Sequence, residues 1–158
     1  MAKEVKTNAV RFLEKAKVDF RFMTYESNGF LDGVSVAQKL GQPVEKTFKT
    51  LVTKGKSGQF FVFVIPVAAE LDLKAAARSV SEKSVEMIPV KDITAVTGYV
   101  RGGCSPIGMK KQFCTVIDVS AQEQETILFS GGRLGMQIEM CPRTLAKLIR
   151  AEFAAVTE

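Results

Sequence analysis

A cation inside an apolar run is the first place in this sequence where chemistry could reside. Lys49 lies within Thr47-Phe-Lys-Thr-Leu-Val-Thr53, which has the β-branched and aromatic make-up of a strand at least half buried. A lysine there presents a compact ammonium to a phosphate, carboxylate or hydroxyl while its stem packs on neighbouring side chains. The same residue also reads as an edge-strand lysine that discourages intermolecular pairing, and both readings stay open. Lys46, in the turn before it, reads as solvated.

The second place is Gly98 to Gly108, G-Y-V-R-G-G-C-S-P-I-G. Four glycines and a proline in eleven residues cost more conformational entropy than an ordinary connector requires. Gly102 and Gly103 leave the backbone bare, Arg101 adds a charge, and Pro106 fixes its own φ while biasing Ser105 toward an extended conformation. Successive N–H groups in such a turn can point at one oxygen-rich ligand. The alternative is a tight connector whose glycines only supply positive φ. A second glycine turn, Ser130-Gly-Gly132, carries a cation at Arg133 and reads as a hairpin turn. Tyr25, at a strand end before a turn, suits either stacking on a ring or half-buried packing.

Histidine is absent, which removes every Ser–His, Cys–His and His-ligated metal mechanism. Cys104 would then need a lysine, an arginine or a helix N-terminus to lower its pKa, so it reads as a small packing residue. Ser105 lacks a general base on the same grounds and reads as a turn former. The three cysteines, Cys104, Cys114 and Cys141, show no C-x-x-C spacing and indicate neither a disulfide framework nor a zinc site. No cofactor or metal is implied.

The elements that must position these residues follow from periodicity and turn chemistry. Thr7 caps a helix with Val10, Leu13, Ala16 and Lys17 on a 3.6-residue period, and Phe20 to Tyr25 alternates as a strand. Glu26-Ser-Asn-Gly29 supplies turn residues, and Ser35-Val-Ala-Gln38 fits a capping box for a helix closed by Gly41 and Pro43. Thr47–Thr53 and Gln59–Pro66 form a hairpin, and the all-apolar F-F-V-F-V-I predicts a central strand buried on both sides. Asp72 caps a helix over Leu73–Val80, Val85–Ile88 is a short strand, and Lys91–Thr97 is a helix ended by Gly98. Strands are predicted over Phe113–Val119, Thr126–Ser130 and Met136–Met140. A helix then opens at Pro142 and runs to Phe153, with a tail after Ala154 that frays.

With 46% hydrophobic and 25% charged residues, the chain has the composition of a soluble globular protein rather than a disordered one. No apolar run approaches a membrane span, and Met1–Lys17 has no signal-peptide core, so a cytoplasmic location and no membrane partner are expected. A net charge of +5 favours anionic partners only modestly. No linker or repeat divides residues 1–158, and strands alternate irregularly with helices. One α+β domain follows, a mixed, mostly antiparallel, barrel-like sheet with flanking helices.

Taken in order, several of these segments resemble the YbaK family of free-standing aminoacyl-tRNA editing domains, related to the domain inserted in bacterial prolyl-tRNA synthetases. The carriers are Thr24-Tyr25, Lys39-Leu-Gly41, F-K-T-L at Phe48–Leu51, the whole Gly98–Gly108 stretch, T-V-I-D at Thr115 and S-G-G-R-L-G from Ser130. The resemblance implies hydrolytic editing of mischarged tRNA, with cysteine on tRNA for proline as substrate and possible action on Cys-tRNA(Cys). Alternatives are a deacylase for another small amino acid such as alanine, or a non-catalytic tRNA- or nucleotide-binding module. In that family the substrate's own thiol is thought to attack the ester carbonyl and release a cyclic thiolactone, which accords with the absent histidine. By motif, the resemblance assigns catalysis to Lys49, Gly102 and Gly103, and substrate binding to Tyr25, Phe48, Thr50, Arg101, Ser105, Pro106, Ser130 and Gly131. Family members often read S-G-G-K-R-G where this chain reads S-G-G-R-L-G, so no contact is assigned to Arg133. The implied partners are aminoacyl-tRNA and, transiently, prolyl-tRNA synthetase, without DNA.

Overall fold

A computed structural model describes residues 6–27 and 31–158, and its eight strands and five α-helices form two sheets with helices packed against them. Helix α1 (Asn8–Ala16) begins where Thr7 turns extended and its hydroxyl accepts the Val10 N–H, and it buries Ala9, Val10 and Leu13. Strand β1 (Arg21–Thr24) pairs antiparallel with β7 (Met136–Met140), which pairs antiparallel with β6 (Ile127–Ser130). The second sheet has the order β4 (Val85–Met87), β2 (Phe48–Gly55), β3 (Phe60–Pro66), β5 (Cys114–Asp118), β8 (Glu152–Ala154). Its β3–β5 and β5–β8 pairs are parallel and the others antiparallel. A parallel bridge between Thr47 and Leu128 joins the two sheets, so the expected mixed, mostly antiparallel sheet is divided in two.

Strand β3 is the buried centre that its apolar run predicts, with Phe61 to Ile65 all buried. One face meets Ala76 and Ala77 of α3 (Leu73–Ser79), which Asp72 caps by accepting from the Lys74 and Ala75 N–H groups. The largest core cluster lies between the smaller sheet, α1 and α5 (Pro142–Ile149). Helix α4 (Ile93–Thr97) ends at Gly98 with φ 85, the left-handed conformation expected of it.

Three expectations are corrected. Helix α2 (Gly33–Lys39) starts earlier than the capping box suggested, because the Asp32 carboxylate accepts from the Ser35 N–H at 2.8 Å. The closing helix stops at Ile149, where Arg150 turns left-handed at φ 55, and Phe153 belongs to β8 instead. The tail does not fray: Val156 is fully buried, its N–H donates to Asp118 Oδ1 at 3.1 Å, and Glu158 N–H donates to the Glu70 carbonyl. Strand β5 offered an unpaired edge and a buried carboxylate, and the last residues satisfy both. The turn expected at Glu26–Gly29 lies partly outside the described residues. Among the described residues no helix is long and apolar enough to cross a membrane.

Candidate active site

Strand β2 is covered unevenly, and this creates the site. On one side β3 pairs with it from Phe48 to Lys54, whereas on the other β4 reaches only Thr53–Gly55 and the Ile88 N–H adds a bond to the Val52 carbonyl. At the strand's start the bridge from Thr47 to β6 closes the same side. Between these contacts Phe48–Leu51 forms the wall of a cleft of about 550 Å³. Its apolar lining comes from Val34 and Val36 of α2, Val67, and the Met87–Ile93 segment. A few polar groups interrupt that lining, the usual make-up of a small-molecule site. The edge-strand reading of Lys49 and the functional one thus describe the same position, for the open edge of β2 is the cleft wall.

Seven residues proposed from the sequence line this cleft: Tyr25, Phe48, Lys49, Thr50, Arg101, Gly102 and Ser130. Four do not reach its wall. Gly103 backs onto the second glycine turn so closely that a Cβ would lie 2.9 Å from Arg133 Cα. Ser105 is fully buried with its hydroxyl unpartnered among the described residues, and Pro106 is buried beside it. Gly131 abuts Met136, whose side chain leaves no room for a Cβ. These four lie behind the lining and shape it. Ser130 Oγ accepts from the Gly132 N–H at 3.2 Å, a bond that holds its turn.

Gln137 and Asp32 also line the cleft, and neither was expected. Gln137 pairs with Ser130 in the β6–β7 register, so the two side chains share a sheet face at the cleft. Its Oε1 and the Thr50 Oγ1 are buried with no hydrogen-bond partner among the described residues. A buried acceptor without a partner is costly, so these atoms suit a ligand's donors. The only sequence signal was alternation in Met-Gln-Ile-Glu-Met, which reads as a half-exposed strand although all five residues are buried.

The electrostatics separate the charges around the cleft. Lys46 is not merely solvated: its ammonium pairs with Glu139, whose side chain is 3% exposed and also meets Arg21 and Thr126. Burial alone would raise the Glu139 pKa, but hydrogen bonds from Lys46, Thr126 and Arg21 outweigh it and lower the value to about 2. Lys49, three residues on, has no carboxylate partner among the described residues and lines the cleft. Burial pushes the Cys104 thiol up to about 11, so it is protonated at neutral pH. The Ser35 N–H lowers the Asp32 pKa and commits that carboxylate to its helix cap. Neither group is poised to take up a proton near neutrality.

Residues 32–148 match the family described as the aminoacyl-tRNA editing domain. The chain is 46% identical over 153 residues, 96% of its length and 93% of the relative's, to the "Putative Cys-tRNA(Pro)/Cys-tRNA(Cys) deacylase EbsC" of Enterococcus faecalis. A stretch of 75 residues, 48% of this chain and 13% of the relative, is 33% identical to a proline–tRNA ligase of Fervidobacterium nodosum. A crystal structure described as "a putative trans-editing enzyme for prolyl tRNA synthetase" has the same fold, with a TM-score of 0.85 over 98% of this chain and 99% of that one at 22% identity.

Proposed function

The chain belongs to the aminoacyl-tRNA editing domain family, and from that premise we propose that it removes cysteine wrongly attached to tRNA for proline, with the substrate's own thiol as nucleophile. The observation that carries this reading is a cleft that gathers Lys49, Gly102 and Ser130 while Cys104 beside them is held protonated. Among the described residues neither the thiol nor the carboxylate of the cleft is poised as nucleophile or base, which calls for a nucleophile from the substrate. In the proposed step the substrate sulfur bonds to the ester carbonyl carbon and the carbon–oxygen bond to the tRNA breaks. The thiol proton passes to the departing 3′-terminal oxygen, and water later opens the cyclic thiolactone.

The protein's part is positioning and charge stabilisation. Lys49 holds the acceptor-end adenosine or a phosphate, and Gly102 faces the reacting ester with Gly103 shaping the turn behind it. Tyr25, Phe48, Thr50, Arg101 and Ser130 border the substrate, and Gln137 joins them. Ser105, Pro106 and Gly131 support that wall from behind it. Residues 1–158 act as one editing domain in the cytoplasm, with prolyl-tRNA synthetase as a transient partner that supplies the discrimination among tRNAs.

Multiple-turnover deacylation of tRNA(Pro) charged with cysteine, serine or alanine tests this. Loss of cysteine alone is expected. Equal rates for all three would sink substrate assistance, preference for alanine would favour a sister deacylase, and no turnover would leave a binding module.

A further inference from the structure

Two glycine turns meet behind the cleft, and residues that do not line it touch both. Among the described residues no backbone hydrogen bond joins the two turns: Gly103 N–H donates to the Val100 carbonyl in one, while in the other Gly131 N–H donates to the Met136 carbonyl and the Gly135 carbonyl accepts from Tyr25 N–H. Where the turns touch, Gly103 lies bare against Arg133 and Leu134, a van der Waals approach with no side chain to set its register. Tyr99 and Thr7 occupy the places that could set it. Tyr99 is 5% exposed and donates its hydroxyl to the Ile107 carbonyl at 2.7 Å, spanning its own turn. Its ring stands so near Gly132 of the other turn that a Cβ there would lie 3.0 Å from Cε1. Thr7 donates its hydroxyl to the Gly131 carbonyl while accepting from Val10 N–H, tying the second turn to the start of α1. The same helix start abuts the first turn, since a Cβ on Gly108 would lie 2.8 Å from Ala9 N and 2.7 Å from the Tyr99 hydroxyl.

We propose that Thr7 and Tyr99 are positioning residues for deacylation: through the first turn of α1 they key the two glycine turns together and set the separation of Gly102 from Ser130 across the cleft. Neither residue lines the cleft. The proposal rests on the deacylase reading for its kinetic consequence, but its structural content does not. Displacing a reacting group by an ångström costs on the order of tens- to a hundredfold in rate.

The test uses the full chain with Thr7→Val, Thr7→Asp, Thr7→Ser and Tyr99→Phe. An aspartate still caps α1 but cannot donate to the Gly131 carbonyl, so Thr7→Asp separates lost keying from lost capping. Thr7→Val, Thr7→Asp and Tyr99→Phe are expected to lower kcat on Cys-tRNA(Pro) by about 10- to 100-fold with KM little changed. Thr7→Ser is expected to restore wild-type turnover. Hydrogen exchange supplies a second readout: Tyr99→Phe should loosen amides over 130–136, and the Thr7 variants those over 98–108. Wild-type kcat in all three folded variants overturns the proposal. Exchange changes confined to the mutated residue's own turn also overturn it, whether or not the wild type deacylates. Failure of the deacylase reading is seen separately, as an inactive wild type.

Discussion

Lys49 and Cys104 line the same cleft with opposite prospects. The lysine has no carboxylate partner among the described residues, whereas the thiol is burdened with a desolvation that its contact with Thr97 does not offset. Lys49→Ala is expected to abolish deacylation while leaving the fold intact, because losing a charged contact to substrate costs about 2–5 kcal/mol, or tens- to thousands-fold in rate. Cys104→Ala is expected to retain substantial activity, and no step in the rate between pH 6 and 9 should trace to its thiol. Rates measured beside circular dichroism and thermal melts check both, since an unfolded variant imitates a catalytic defect. Full activity in folded Lys49→Ala would defeat the site assignment. The two residues differed in how far the sequence revealed them. Lys49 stood out as a charge among apolar neighbours, and the missing histidine already argued against Cys104. Gln137 did not stand out, because a polar residue in an alternating strand is what a solvent-facing position looks like.

One face of β7 sends Gln137 to the cleft and Glu139 to Lys46, so this short strand couples the smaller sheet to the start of β2. The Glu139 carboxyl titrates lower in the folded chain than its ordinary value of 4.5, so it contributes stability above that pH and loses it as pH falls toward about 2. At about 1.4 kcal/mol per pH unit, the contribution at neutral pH is on the order of 3 kcal/mol. Glu139→Gln is therefore expected to lower unfolding stability at pH 7 by roughly 2–4 kcal/mol and to flatten its decline in acid. Urea unfolding of both proteins at pH 7 and pH 3 checks this, and parallel pH dependence would refute it. Alternation in the sequence indicated which β7 residues share a face. Which face meets water depends on the segment packed against it, and that segment is about ninety residues away in the chain.

Over the whole molecule, a net charge of +5 gives only moderate attraction to an RNA backbone. Weak binding to tRNA that falls steadily with added salt is expected of the purified protein. Tight binding is expected only when prolyl-tRNA synthetase and charged tRNA are both present. Titrations across a salt series, with and without the synthetase, measure this; strong discrimination among tRNAs by the protein alone would contradict it.

Residue order alone was enough for the helices with clear caps, the buried centre at β3, the left-handed stop at Gly98 and the absence of histidine chemistry. Each is local, set by one residue's φ, one capping side chain or one run of apolar residues. Its motifs also pointed to a family that the comparisons then showed. The open edge of β2 between β4 and the Thr47–Leu128 bridge emerges only once the chain is folded. Only the folded chain shows that Gly103, Ser105, Pro106 and Gly131 stand behind the wall rather than in it, that Glu152–Ala154 form an edge strand instead of a helix end, and that the residues after Ala154 form a buried anchor instead of a frayed tail. One cause is common to these differences. Strand edges, buried carboxylates and close backbone approaches are satisfied by partners far away in the chain, and no local pattern names those partners.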